Sequence, residues 1–386
     1  MKRVLVVLGT RPEAIKLAPV VAALRPRAEV VVCSTGQHRE LLDGALRDVD
    51  LSPDIDLEVM AERQSLSGLL GRMLQMLGPV LEEVQPDVVV AQGDTSTVLA
   101  ASLAAFSHAV PFAHVEAGLR TDDRTSPFPE EFNRRVAGLA ADLHFVPTER
   151  ARAALLAESV PEPAVFLTGN TIVDALLDIR ERARSSPLPA EMDPGDGRLV
   201  LVTAHRRESF GRPFRDLCEA IREISERHPD VHVVFPVHLN PNVRLPVHDI
   251  LGGRERIRLV EPVSYPLFVA LMDRAHFVLT DSGGVQEEAP TLGTPVLVLR
   301  EKTERPEAVA AGSVRLVGTD RKRIVEQAGI LLTDRAVHAA MATARDVYGD
   351  GLASRRIAEV LIDGRMRTPP FRSSTRGSQA SLAAAP

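Results

Sequence analysis

The chain has 386 residues, of which 45% are hydrophobic and 25% are charged, and its net charge is −6 at pH 7. This length favours two or three domains, and the composition is that of a globular protein rather than a disordered or fibrous one. The acidic balance argues against a nucleic-acid partner, although local arginines could still bind an anionic ligand.

No apolar run in the sequence has the length of a signal peptide or a membrane span. The first run, residues 4–8, stops at the polar residues that follow it. No run approaches the roughly 18 apolar residues of a transmembrane helix. Cys33 and Cys218 are the only cysteines and form no CxxC pair, which suits a reducing compartment. We therefore expect a cytoplasmic protein that binds no membrane.

Short apolar runs alternate with longer amphipathic segments in the first half of the chain. Strands are predicted at residues 4–8, 29–33, 88–91, 112–115 and 143–146, and helices at 17–24, 66–84 and 98–107. This alternation predicts right-handed βαβ units around a parallel sheet. Because the apolar runs are continuous, we expect both faces of the sheet to be covered.

The pattern pauses and then restarts in the second half of the chain. Residues 185–198 contain three prolines and two glycines, and further strands are predicted at residues 199–203, 231–236, 257–259, 277–280 and 296–299. We predict a first domain at 1–184, a linker at 185–198 and a second domain at 199–365. Residues 366–386 lack periodicity and are predicted to be disordered. Ligands of open α/β sheets bind beyond the carboxyl ends of the strands, so we expect the site in a cleft between the two domains.

The first polar cluster, residues 9–16, follows the first predicted strand and reads GTRPEAIK. Thr10 can cap a helix that has Pro12 in its first turn. Arg11 at such a helix start could bind a phosphate. The segment lacks the ending of a P-loop and contains no GxGxxG, so a phosphate site and a capped helix start both remain possible readings.

A second cluster, residues 280–288, reads TDSGGVQEE and follows the apolar run 277–279. Two glycines at a strand-to-helix turn allow backbone N–H groups to approach an anion closely. Ser282 can add a hydroxyl donor, and Glu288 could accept hydrogen bonds from ribose hydroxyls. The pattern favours a nucleotide site, although an acidic first turn also stabilises a helix by itself.

Carboxylates follow two predicted strands and begin a later helix. Asp94 lies in GDTST, Glu116 in HVEAGLR, and Glu130 with Glu131 in PFPEEFNR. Carboxylates that converge on one cleft raise one another's pKa and can supply the acid and base of a proton transfer. Taken singly, Asp94 could be a helix cap and Glu130 a partner of the helix dipole.

Histidine and arginine side chains follow the first strand of the second half. The segment TAHRRESFG contains His205 and two arginines, which suit a diphosphate leaving group, although a solvated basic loop would look the same. The eleven histidines show no HExxH motif and no Cys/His ligand spacing. We expect neither a metal nor a cofactor.

In this order, these segments resemble the UDP-N-acetylglucosamine 2-epimerase family. The resemblance covers about residues 1–365 and includes GTRPEAIK, GQHRELL, QGDTST, HVEAGLRT, PFPEEFNR, TAHRRESFG, FPVHLNP, DSGGVQEEAP and ERPEAV. It implies an α/β protein of the GT-B type, with two Rossmann-like domains whose parallel sheets face each other across a deep cleft. The last helix would pack back on the first domain, and we expect a homodimer.

The resemblance implies the interconversion of UDP-N-acetylglucosamine (UDP-GlcNAc) and UDP-N-acetylmannosamine (UDP-ManNAc). UDP is eliminated from C1 as the C2 proton is removed, which leaves a 2-acetamidoglucal. UDP then adds back after reprotonation on the opposite face. The C2 proton is only weakly acidic, so the departing diphosphate must be stabilised by cations and helix N-termini. The product would supply bacterial polysaccharide or glycoconjugate synthesis.

Motif by motif, the resemblance implies roles for individual residues. The acid and base candidates are Asp94, Glu116 and Glu130, and the motifs do not decide which of them removes the proton. His205 is expected at the diphosphate. UDP would be held by Arg11, Lys16, His205, Ser282, Gly283, Gly284, Glu288 and Arg305.

Non-hydrolysing members of the family return UDP to the glucal and bind a second, activating UDP-GlcNAc. The resemblance implies that this site contains Gln37, His38, Glu40, Arg63, Glu131 and His238. The family has a glutamine where this chain has Glu40, and a carboxylate there could repel the activator's diphosphate unless Arg39 and Arg63 offset it.

Three other functions use parts of the same pattern. A hydrolysing epimerase would release N-acetylmannosamine and UDP. A GT-B glycosyltransferase would need an acceptor before it consumed the sugar nucleotide, whereas an epimerase needs none. A sugar-nucleotide sensor would leave the three carboxylates without a purpose. The sequence therefore favours a non-hydrolysing epimerase.

Overall fold

A computed structural model of the chain describes residues 1–37, 39–61, 64–121, 123–184, 186–343 and 346–373, without the side chains of residues 39–41. Within this part, contacts divide the chain into two units. The first contains Met1–Leu177 and Tyr348–Arg372, and the second contains Asp178–Val347. No helix in the described ranges is both long and apolar enough to cross a membrane.

The first unit is a seven-stranded parallel sheet with helices between its strands. Its strands are β1 (Arg3–Leu8), β2 (Glu29–Ser34), β3 (Ile55–Asp56), β4 (Val88–Gln92), β5 (Phe112–Val115), β6 (Leu143–Val146) and β7 (Val165–Leu167). Its helices up to the division are α1 (Arg11–Leu24), α2 (Arg39–Asp48), α3 (Leu66–Val84), α4 (Ser96–Ser107), α5 (Glu130–Ala140), α6 (Glu149–Ala157) and α7 (Thr171–Ala183), and a 3₁₀ turn covers Glu162–Ala164.

The strand order in this sheet is β3-β2-β1-β4-β5-β6-β7. All residues of β4 and β5 are buried, as continuous apolar runs require when helices cover both faces of a sheet. The chain winds outward in opposite directions from β1 and β4, so the switch point of the sheet lies between these two strands.

The second unit is a six-stranded parallel sheet with the order β10-β9-β8-β11-β12-β13. Its strands are β8 (Arg198–Thr203), β9 (Val231–Pro236), β10 (Ile257–Val260), β11 (Phe277–Thr280), β12 (Val296–Val298) and β13 (Val314–Leu316). Its helices are α8 (Arg212–Arg227), α9 (Pro241–Leu251), α10 (Tyr265–Arg274), α11 (Val285–Leu292), α12 (Pro306–Ala310), α13 (Arg321–Thr333) and α14 (Arg335–Ala342), with a 3₁₀ turn at Arg207–Ser209. The switch point lies between β8 and β11.

The division of the chain differs from the linker predicted at residues 185–198. It falls between Leu177 and Asp178, within α7. Part of the predicted linker is packed, because the side chains of Leu188 and Met192 are buried. Proline and glycine content therefore marked an irregular segment of the second unit.

Residues 367–371, which lie in the segment predicted to be disordered, are held against the first unit. The last helix, α15 (Ala353–Asp363), belongs to the first unit, and the chain after it continues along that unit. Phe371 is buried, and its N–H donates to the carbonyl of Leu167 in β7. Glu359 accepts hydrogen bonds from the backbone N–H groups of Arg367 and Thr368. A single apolar anchor and a buried carboxylate hold a segment that has no periodicity of its own; residues 374–386 lie outside the described part.

Candidate active site

Glu13 joins the two loops at the switch point of the first sheet. Its Oε2 atom accepts hydrogen bonds from the N–H groups of Gly9 and Thr10, at 2.7 and 2.8 Å. Its Oε1 atom accepts one from the Thr95 hydroxyl at 2.5 Å. Burial raises the pKa of Glu13 to about 7, against the effect of these hydrogen bonds. The loops after β1 and β4 therefore both form hydrogen bonds with one buried carboxyl group. The sequence motifs assigned no role to Glu13.

Lys16 and Glu116 form an ion pair at the carboxyl ends of β1 and β5. Lys16 Nζ lies 2.5 Å from Glu116 Oε2, and both side chains are largely buried. Gln92, at the end of β4, donates to the same carboxylate oxygen at 2.7 Å. The motifs predicted Lys16 near the phosphates and Glu116 as an acid or base. The structure brings the two together, so that a cation and an amide hold the candidate carboxylate.

The backbone of Glu116 is itself unusual. Its φ angle is +61°, in the left-handed region that residues other than glycine rarely adopt. Such conformations cost energy and cluster at functional sites, where the surrounding structure holds them. The conformation turns the chain immediately after Val115, the last residue of β5. The carboxylate that follows this turn is the one that Lys16 and Gln92 contact.

Asp94 is held by residues from the start of α5. Arg134 Nη2 lies 2.5 Å from Asp94 Oδ2, and Asn133 Nδ2 donates to the Asp94 carbonyl at 2.9 Å. Gly93, with φ +87°, supplies the turn before Asp94, and its carbonyl lies 2.7 Å from His114 Nε2. Sequence reasoning quoted PFPEEFNR for its acids alone and missed these two residues. The motif itself contained the signal. Arg134 lies one turn after Glu130 and Glu131, and an arginine in that position can pair with a further acid, here Asp94.

Glu130 and Glu131 begin α5 but have different surroundings. Glu131 is fully buried and accepts hydrogen bonds from Thr121 N–H and Arg135 Nε, at 3.1 and 2.9 Å. Glu130 is only half-buried. Of the two acids, Glu130 is thus the more accessible to a substrate, while Glu131 holds the loop before α5.

Of the residues predicted for the second site, two in the first unit have side chains that the structure describes. These are Gln37 and Glu131. The Oε1 atom of Gln37 accepts a hydrogen bond from the Thr97 hydroxyl at 3.0 Å. His38 and Arg63 lie outside the described residues, as does the side chain of Glu40. Arg11, predicted at the phosphates, is the first residue of α1 and is half-buried.

The loops at the switch point of the second sheet are joined by Asp281. Its Oδ2 atom accepts hydrogen bonds from the N–H groups of His205 and Arg206, both at 2.8 Å. One residue earlier, the Thr280 hydroxyl lies 2.8 Å from that of Thr203 and accepts from Ser282 N–H at 2.9 Å. The structure thus brings the predicted segments 203–211 and 280–288 to one place.

The glycine-rich turn opens α11 and lies against the side chain of Arg305. A Cβ atom at Gly283 would lie 2.7 Å from Arg305 Nη1. Arg305 is oriented by Glu287, with 2.5 Å between Nε and Oε1. Glu288 is buried and accepts a hydrogen bond from the Tyr265 hydroxyl at 2.8 Å. Arg305 therefore lies beside the turn formed by Ser282, Gly283 and Gly284. Glu288 follows in the first turn of the same helix, α11.

His205 and His238 stack on each other in the second unit. Their ring centroids are 5.4 Å apart and the ring planes differ by 13°. Partial burial lowers the pKa of His205, while the Asp281 carboxylate opposes this effect. A neutral imidazole in this position can gain a proton when an anion binds nearby.

Among the described residues, no three His, Cys, Asp or Glu side chains lie together in a way that could hold a metal ion. The expectation that no metal takes part stays a prediction.

The chain matches the family model described as UDP-N-acetylglucosamine 2-epimerase over residues 22–362. It is 54% identical to the probable UDP-N-acetylglucosamine 2-epimerase of Ralstonia solanacearum over 370 residues, which cover 94% of this chain and 99% of that protein. It is 52% identical to the UDP-N-acetylglucosamine 2-epimerase of Escherichia coli K12 over 374 residues, with the same coverage.

Among solved structures, the chain is similar to the UDP-GlcNAc 2-epimerase of Neisseria meningitidis bound to UDP-GlcNAc. The identity is 44% and the TM-score 0.87, and the match covers 94% of this chain and all of that one. Two Rossmann-like halves with parallel sheets were predicted from the sequence, and this prediction is confirmed. The resemblance seen in the motifs is confirmed as well: the chain belongs to the UDP-N-acetylglucosamine 2-epimerase family.

Proposed function

We propose that this chain interconverts UDP-GlcNAc and UDP-ManNAc without net hydrolysis. The observation that carries the epimerase part of the proposal is the arrangement of Asp94 and Glu116 at the ends of neighbouring strands, each paired with a buried cation, Arg134 and Lys16. The more accessible Glu130 begins α5, the helix that carries Arg134. These carboxylates provide groups that can take and return a proton. The absence of net hydrolysis is proposed from the residues of the second-site motifs.

In the proposed reaction, a carboxylate of the first unit removes the C2 proton while the C1–O bond breaks. The electron pair of that bond leaves with UDP, and a C1–C2 double bond forms in the 2-acetamidoglucal. Reprotonation of C2 on the opposite face and attack of the UDP oxygen on C1 complete the interconversion. Asp94, Glu116 and Glu130 are the proposed acid and base groups.

The second unit is proposed to bind UDP. The N–H groups before α11 and the guanidinium of Arg305 suit a diphosphate, since a helix N-terminus and a cation both stabilise an anion. Glu288 suits ribose hydroxyls, and His205 suits the leaving diphosphate. Arg11 and Lys16 are proposed as further cations from the first unit, and the product is proposed to enter polysaccharide or glycoconjugate synthesis.

The test is proton NMR of UDP-GlcNAc incubated with the pure protein in D2O. We expect UDP-ManNAc to appear with deuterium at C2 and no lasting release of free sugar. Steady accumulation of N-acetylmannosamine with UDP would instead identify a hydrolysing epimerase. Absence of deuterium uptake, with UDP-GlcNAc unchanged, would exclude epimerisation.

We also propose that the protein is a homodimer in the cytoplasm. Large apolar side chains are exposed on α4 and α5, which pack on each other: Phe106 is 72% and Leu139 is 89% exposed. Exposed apolar side chains on neighbouring elements are typical of protein–protein interfaces. Sedimentation equilibrium should give twice the chain mass, and a monomer at micromolar concentration would contradict this proposal.

A further inference from the structure

Asp281 is a buried carboxylate to which the motifs assign no role. It follows β11 directly and is 1% exposed. The preceding residue, Thr280, pairs in register with Thr203, which lies two residues before His205. The parallel register of β8 and β11 therefore carries Asp281 to the backbone of His205.

The two oxygens of Asp281 do different things. Oδ2 accepts the N–H groups of His205 and Arg206, and so fixes the backbone after β8. Oδ1 lies 3.4 Å from His205 Nδ1 and, in the described part of the chain, is buried without a hydrogen-bond partner. A buried carboxylate oxygen in that state is costly, and a small rotation of the imidazole would satisfy it.

Three titratable or charged groups lie near enough to His205 to shift its pKa. His238 stacks on one face of the ring, Arg206 is adjacent in sequence and donates from Nε to the Asp281 carbonyl at 3.1 Å, and Asp281 lies at Nδ1. Burial, His238 and Arg206 lower the pKa of His205, whereas Asp281 raises it. Asp281 therefore opposes the other neighbours and favours the imidazolium.

We propose that Asp281 is a positioning residue that holds His205 through Nδ1–H, so that Nε2 is presented to the diphosphate. The neutral ring would carry its proton on Nδ1. As negative charge develops on the terminal phosphate of UDP, Nε2 can take up a proton from solvent, to which the side chain is 43% exposed. It then donates this proton in a charge-assisted hydrogen bond, while the Asp281 carboxylate balances the positive charge. The role of His205 at the diphosphate rests on the proposed function. The role of Asp281 in holding the His205 ring does not.

The first measurement needs no substrate and no change at Asp281. In the full chain labelled with ¹⁵N-histidine, the His205 signals are assigned by their loss in His205→Gln. We expect the neutral wild-type ring to carry its proton on Nδ1. A neutral ring protonated on Nε2 would overturn the proposal.

The second measurement uses Asp281→Asn. The amide oxygen can still accept the two backbone N–H groups, but the amide nitrogen now donates to Nδ1. We expect the proton of the neutral ring to move to Nε2 and the pKa of His205 to fall. Asp249→Asn, an exposed carboxylate of α9 paired with Arg215, is the matched control and should change neither. An unchanged tautomer and pKa in Asp281→Asn would overturn the proposal.

A double-mutant cycle separates positioning from general damage to the fold. Asp281→Asn should lower the epimerase kcat by roughly 10²-fold, because His205 would no longer be held in the tautomer that it needs. This is the loss expected when a group that transfers a proton is disabled. In a His205→Gln background the same change should cost less than about 2-fold, because its effect passes through His205. An equal loss in both backgrounds would show a purely structural role. If wild type proves inactive as an epimerase while the His205 tautomer and pKa respond as expected, the proposed function fails and the positioning role stands.

Discussion

Asp94, Glu116 and Glu130 can be tested singly because each has a substitution of nearly the same shape. Asp94→Asn, Glu116→Gln and Glu130→Gln should each lower turnover by about 10²-fold or more while UDP still binds, since a missing acid or base removes that much. Steady-state rates combined with calorimetric UDP titration measure this. Glu149→Gln, an exposed acid in the first turn of α6, is the control. Wild-type turnover in any of the three variants removes that residue from the catalytic set.

Glu13 gives a pH dependence of stability whose sign can be derived. Burial raises its pKa from 4.5 to about 7, so the folded protein holds this proton over a pH range in which the unfolded chain has lost it. The resulting stabilisation is complete below pH 4.5 and is lost as the pH rises towards 7. Its size is on the order of 3 kcal/mol.

Glu13→Gln should abolish this part of the pH dependence. The glutamine oxygen can replace Oε2 at Gly9 and Thr10, and its amide can donate to Thr95. We expect wild type to lose stability relative to this variant between about pH 4.5 and 7, measured by urea unfolding. Glu83→Gln, an exposed acid on α3, should run parallel to wild type. Parallel curves for Glu13→Gln as well would mean that Glu13 titrates normally.

At the scale of elements, the segment after α15 is the clearest case of order without local propensity. Phe371 packs into a small cluster with Val146, Val165 and Leu167, side chains of β6 and β7. Arg356 of α15 donates to the carbonyls of Thr168 and Pro369 and so ties β7 to this segment. The C-terminal segment therefore closes the edge of the first sheet.

Phe371→Ala should destabilise the first unit by about 3 to 5 kcal/mol, because it removes a buried aromatic ring and leaves a cavity. Phe371→Leu should cost less, since most of the volume remains. Thermal unfolding monitored by circular dichroism gives both values. Unchanged melting of the alanine variant would show that the segment contributes nothing to the fold.

For the whole molecule, we propose that UDP-GlcNAc activates its own conversion through a second site with Gln37, His38, Glu40, Arg63, Glu131 and His238. A second ligand that binds the active conformation preferentially shifts the population towards it. Forward kinetics should then be sigmoidal, and the reverse reaction should need some UDP-GlcNAc. Arg63 can bind the activator's phosphates through charge-assisted bonds despite Glu40.

Arg63→Ala should reduce activation before it reduces UDP binding. Initial rates over a range of UDP-GlcNAc, with UDP affinity from calorimetry, separate the two effects. Arg72→Ala, an exposed arginine on α3, is the control and should leave both unchanged. Hyperbolic rates in both directions, with turnover of pure UDP-ManNAc, would show that this chain lacks the second site.

The sequence by itself determined the features that depend on local pattern. Continuous apolar runs located the buried strands, because a strand covered on both faces needs no polar side chain. The turns after those strands carry Asp94, Glu116, His205 and Ser282. The carboxyl ends of parallel strands lie at one edge of a sheet, so the sequence placed these residues where a ligand would bind.

Only the tertiary structure decided which of these side chains meet. Lys16 and Glu116 are 100 residues apart, and their pairing depends on how α1 packs on the sheet and on the left-handed backbone at Glu116. Asp281 reaches His205 through the register of β8 and β11, which no local pattern encodes. Phe371 is ordered because an apolar cluster of the first unit receives it, a property of the partner surface rather than of its own segment. Pairings of this kind arise from long-range packing, which a pattern in the surrounding ten residues cannot specify.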